Sequence, residues 1–231
     1  MASSPLWKLR RLAPRASRVC ARRQDIKPVL ALSGRIVAAA DAYTGAYDVA
    51  ARYSRVWLKE TQEGRTATSE LVVKLRSWLP LAAAEIPAFS ASTYMDRPGV
   101  PDDVIEDASR FLDELADAAE GGAKLDWVAE ATADLEPAIA KTIKEQEEAE
   151  AADQQWQRLL ATTRETAQTF DGLLQTLRRI LAAAVGRKDR DYQRLRAERI
   201  TRTPDEDDDQ VPIDIVAPTV TSEPSTAPPS E

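Results

Sequence analysis

Residues 156–184 read WQRLLATTRETAQTFDGLLQTLRRILAAA. Within this stretch Trp156, Leu160, Thr163, Ala167, Phe170, Leu174, Leu177, Leu181 and Ala184 recur at alternating steps of four and three. An α-helix turns once every 3.6 residues, so these side chains fall on one stripe, sustained over about four heptads. The residues from Trp156 to Leu181 are therefore expected to form a helix-assembly seam. Such a seam implies a bundle or coiled coil, not a sheet.

The same helical stretch starts near Lys124 and reaches about residue 198, with a kink expected at Pro137. A straight helix of that length would measure roughly 110 Å at 1.5 Å per residue, so it should bend, break or project. Between Ile143 and Trp156 the only apolar side chains are alanines. That piece is either an exposed connector or packs through alanine against a close neighbour.

Three more helices are expected upstream. Pro28 suits a first helical position, and Val29, Leu32, Ile36, Ala40, Tyr43, Tyr47, Ala50, Ser54 and Trp57 mark one face of a helix over 28–63 that Gly64 should end. Tyr43, Tyr47 and Trp57 share that face, so core packing explains them better than a ligand box does. A second helix over 66–86, capped by Thr66 or Thr68, carries Leu71, Leu75, Trp78 and Leu79 and should kink at Pro80. A loop comes next, with a turn at Arg97-Pro98-Gly99. A third helix over 102–120 has Val104, Ile105, Phe111, Leu112, Leu115 and Ala119 on its apolar face and stops at Gly121-Gly122. The expected fold is all-α: an elongated antiparallel helical bundle with coiled-coil character over 28–202, flanked by disordered tails.

Composition limits the chemistry. The chain of 231 residues has no histidine and one cysteine, Cys20. Ser-His-Asp and Cys-His catalysis, histidine zinc sites and an intrachain disulfide are all excluded. Glycines are scattered and no Gly-rich loop is followed by Lys-Ser/Thr, so a phosphate-binding loop is missing. The acids of 102–120 (Asp102, Asp103, Glu106, Asp107, Asp113, Glu114, Asp117, Glu120) lack the order of a calcium loop and read as a solvated face. No catalytic residue, cofactor, metal or small-molecule substrate is indicated, and the chain is expected not to be an enzyme.

Charge is distributed in blocks. Residues 1–27 carry eight Lys/Arg against Asp25 alone, and 102–150 carry sixteen acids against four bases. Residues 178–202 return to nine Lys/Arg against three acids. The tail 203–231, with Asp205-Glu206-Asp207-Asp208-Asp209 followed by Pro, Ser and Thr, cannot build a core and should be disordered.

The arm 1–27 is the most function-like segment, either a basic amphipathic helix conditional on a partner or a disordered tail. Lys8, Arg11, Arg15, Arg18 and Arg22 form a basic stripe. Leu6, Leu9, Ala13, Ala16 and Cys20 occupy another face, interrupted by Pro14. Leu6, Trp7, Leu9 and Leu12 could enter an anionic membrane interface with the arginines on lipid phosphate. Nucleic acid is disfavoured by the acidic remainder of the chain. The basic patch 187–196 suits a helix carboxyl end and needs no further role.

The sequence thus points to a structural or adaptor protein that assembles with itself or a protein partner through helical surfaces. The alternative is a peripheral membrane protein anchored by its amino-terminal segment. A cytoplasmic setting is expected, with membrane association and organellar targeting by the acid-free residues 1–23 left open.

Overall fold

The structure is a computed structural model that describes residues 6–86, 89–94, 97–121 and 125–196. Among these residues five α-helices follow one another: α1 Leu6–Arg22, α2 Lys27–Glu85, α3 Pro101–Glu120, α4 Val128–Ala184 and α5 Arg190–Arg194. A single 3-10 turn spans Ala91–Thr93, and no strand occurs among the described residues. The expected disordered tail 203–231 lies outside them.

The chain divides into two compact units, residues 1–51 with 161–231 and residues 52–160, and α2 and α4 contribute to both. In the first unit α1 joins these two helices around one core. That core holds Leu9, Leu12, Ala13, Ala16, Val19 and Cys20 of α1, Val29, Ile36, Ala40 and Tyr43 of α2, and Ala167, Phe170, Leu174, Leu177 and Leu181 of α4. Tyr43 is fully buried; it stacks on Phe170 at 6.0 Å between ring centres and donates its hydroxyl hydrogen to the carbonyl of Leu6. Burial of this tyrosine raises its pKa.

In the second unit α3 takes the position of third helix. Leu71, Leu75 and Leu79 of α2, Val104, Ala108, Phe111 and Leu115 of α3, and Ala131 and Leu135 of α4 form its core. Here α2 and α4 run antiparallel: Trp57 stacks on Trp156, Lys141 pairs with Glu70, Lys74 with Asp134, and Trp78 stacks on Trp127. Numbers rise along one helix as they fall along the other.

Several expectations need correction. The break at Gly64 does not occur, and the helices expected over 28–63 and 66–86 are one, α2. Thr68 is inside it, with its hydroxyl donating to the Gly64 carbonyl at 2.9 Å. The glycine serves close approach instead: a Cβ at Gly64 would stand 3.4 Å from Ala149 Cβ and 3.4 Å from the Glu145 carbonyl oxygen. The alanine-only piece of α4 is therefore a packed contact and not an exposed connector.

The helices continue through Pro14, Pro80 and Pro137. All three occupy exposed positions, where the carbonyl that loses its donor can be solvated.

The last helix does not continue to 198. It ends at Ala184, because Gly186 adopts φ +88°, and the N–H groups of Val185 and Gly186 both reach the Leu181 carbonyl. That left-handed residue is cheap only for glycine. The chain then turns back and α5 begins at Arg190, with Asp189 accepting the N–H groups of Asp191 and Tyr192.

The arm also differs from a disordered tail or a partner-dependent helix. Residues 6–22 form α1, and its apolar face is part of the core of the first unit. The seam of α4 is likewise used inside the chain, shared over 167–181 with α1 and α2 in the core of the first unit.

Candidate functional site: an arginine groove between α1 and α5

Helix α1 places residues at steps of three and four on one side, and its two sides have opposite tasks. Leu9 and Leu12 are 2 % and 3 % exposed, while Leu6 packs half-buried against the core and Trp7 is half-buried. Arg11, Arg18 and Arg22 are exposed, and Lys8 and Arg15 are half-buried. Lys8 Nζ and the Arg11 guanidinium lie over the Trp7 ring, at 5.3 and 5.5 Å from its centre. The residues expected to touch a membrane or partner are therefore split: Leu9 and Leu12 face inward, and the cations line the outside.

The other half of the site comes from the end of the chain. Tyr192 and Leu195 insert into the core of the first unit, Leu195 completely, and the Leu195 carbonyl accepts the Nε–H of Arg178 at 2.7 Å. This anchoring lays α5 beside α1. Arg15, Arg18 and Arg22 of α1, with Arg190, Gln193 and Arg194 of α5, then line a groove of about 680 Å³.

Carboxylates hold the two walls together. Arg23 Nε donates to Asp191 at 2.7 Å, and its NH2 group donates to Asp189 at 2.6 Å. Asp191, only 5 % exposed, also stands 3.3 Å from Arg22 and 3.6 Å from Arg194. Its hydrogen bond, more than any other influence, raises the pKa of Arg23. Burial disfavours ionised Asp189, but the N–H groups of Asp191 and Tyr192 and the Arg23 guanidinium outweigh it and hold its carboxyl below the ordinary value.

Five arginines line the groove (Arg15, Arg18, Arg22, Arg190, Arg194), and Asp191 reaches Arg22 and Arg194 as well as Arg23. Among the described residues no carboxylate pairs with Arg18 or Arg190. Guanidiniums stay charged and present planar, forked donors that fit a carboxylate or phosphate with two hydrogen bonds. The groove is thus equipped to bind an anion and has no nucleophile with a base beside it.

The seam residues have a different place. Trp156, Leu160, Thr163, Ala167, Phe170, Leu174, Leu177 and Leu181 are all buried within the chain, with Thr163 donating its hydroxyl to the Ala46 carbonyl. They leave no seam open for a second chain. The acids of α3 are mostly exposed, and no group of three or more His, Cys, Asp or Glu among the described residues is placed to hold a metal ion. No described helix is long and apolar enough to cross a membrane.

Sequence reasoning singled out both basic segments but kept them apart. The signal that could have joined them is Asp189 and Asp191 within an otherwise basic run after Gly186, with Tyr192 and Leu195 at helical spacing. No family model, curated protein or solved structure matches this chain.

Proposed function

We propose that this protein is a non-enzymatic helical adaptor that receives an acidic protein segment in the arginine groove between α1 and α5. One observation carries the reading: two basic segments some 170 residues apart in sequence converge on one groove lined by five arginines. Structural arginines need partners, whereas Arg18 and Arg190 have no carboxylate among the described residues. Side chains of an acidic peptide supply such partners at several points along an extended backbone.

An anionic membrane is the weaker reading. Insertion into a bilayer needs an apolar face, and that of α1 is occupied: exposing Leu9, Leu12, Ala16 and Val19 would take apart the core of the first unit. Adsorption by charge alone is left, with Trp7 as its one interfacial side chain.

Fluorescence anisotropy of labelled hexaglutamate with the full chain tests the adaptor reading. Binding that weakens steeply between low and high salt, and that is lost in the double variant Arg18→Glu, Arg190→Glu, is expected. Co-sedimentation with phosphatidylserine vesicles but no binding of hexaglutamate would favour the membrane instead.

A further inference from the structure

The groove lies beside the point where the described chain ends, and the sequence beyond that point carries the opposite charge. Leu195 is fully buried and its carbonyl is held by Arg178, so the chain departs from a fixed point next to Arg190 and Arg194. Asp205-Glu206-Asp207-Asp208-Asp209 begins nine residues after Arg196. Nine residues reach up to about 30 Å at roughly 3.3 Å each, enough to return to the groove from its own edge.

We infer that the acidic run 205–209 of the same chain occupies the arginine groove and competes there with an external acidic segment. The inference rests on the adaptor reading and adds its regulation. Five consecutive carboxylates meet a groove lined by five arginines, of which Arg18 and Arg190 have no carboxylate among the described residues. A short tether holds the run at an effective concentration on the order of millimolar, so even a weak contact is populated. Each arginine that engages a tail carboxylate is withheld from a partner. Modification or capture of the tail would release the groove without any change in the helices.

The test uses the full-length chain and a variant with Asp205→Asn, Glu206→Gln, Asp207→Asn, Asp208→Asn and Asp209→Asn, all beyond the described residues. Labelled hexaglutamate is titrated against each at about 0.05 M and about 0.5 M salt. The neutralised chain is expected to bind about tenfold more tightly at low salt, the difference should close at high salt, and adding Arg18→Glu and Arg190→Glu should abolish it. Equal affinity of the two chains would overturn the tail contact while leaving the groove as a binding site. Failure of both chains to bind would overturn the adaptor reading and this inference together. A dimeric mass for the natural chain that becomes monomeric on neutralisation would place the run on a second copy and overturn the contact within one chain.

Discussion

Arg23, the residue after α1, donates to Asp191 in α5 at 2.7 Å across 168 residues of sequence. Asp189 accepts from the same guanidinium at 2.6 Å. This fork fixes the separation of the two groove walls, because α5 has only five residues and one turn cannot hold itself in water.

Replacing Arg23 with Ala should release α5 while the rest of the first unit stays folded. Hydrogen exchange at Tyr192, Gln193 and Leu195 should accelerate by about tenfold or more, and hexaglutamate binding should weaken although Arg23 does not line the groove. Unchanged protection would mean that Tyr192 and Leu195 hold α5 by packing alone.

Acid should act on the same contact. Since the folded Asp189 has the lower pKa, its ionised form stabilises the fold at every pH above the ordinary carboxylate value, and that contribution is lost as pH falls through the depressed one. Protection of the α5 amides is therefore expected to be flat from neutral pH down to about 5 and to decline only below about 4. A decline centred near neutrality would contradict this assignment.

Phe170→Ala removes a fully buried ring stacked on Tyr43. It should cost about 3–5 kcal/mol in urea unfolding. Leu30→Ala, at a side chain 51 % exposed, should stay within about 0.5 kcal/mol.

Glycines in the long helices should separate by what surrounds them. Nothing lies within 4 Å of a Cβ at Gly45, so Gly45→Ala should stabilise by up to about 1 kcal/mol through helix propensity. Gly64→Leu should destabilise by about 1–3 kcal/mol, because its branches would enter the contact with Ala149 and the Glu145 carbonyl. Gly186→Ala should cost about 1 kcal/mol, since φ +88° strains any side chain. Thermal melts of the three variants give these signs directly.

The helical periodicity of Trp156 to Leu181 and of Val29 to Trp57 made the all-α fold legible, since burial of one stripe is a local pattern. What escaped was tertiary. Gly64 reads as a stop in sequence because only the approach of Ala149 explains a glycine inside a helix. The arm read as conditional because its core partners, Tyr43, Phe170 and Leu177, are far away in sequence. For the same reason the stripe Arg15, Arg18, Arg22 and the patch Arg190, Arg194 read as two features, although Asp191 joins them.

The groove depends on α1 being a docked helix in the free protein, since its docking sends Leu9, Leu12 and Val19 inward and sets Arg15, Arg18 and Arg22 against α5. Native-state hydrogen exchange of the full chain without any partner measures this most directly. The amides of Val19 and Cys20 should exchange as slowly as those around Phe170 and Leu177 in the same core. Exchange of residues 6–22 at the rate of an unstructured peptide, with the α4 amides still protected, would contradict the groove and everything proposed for it.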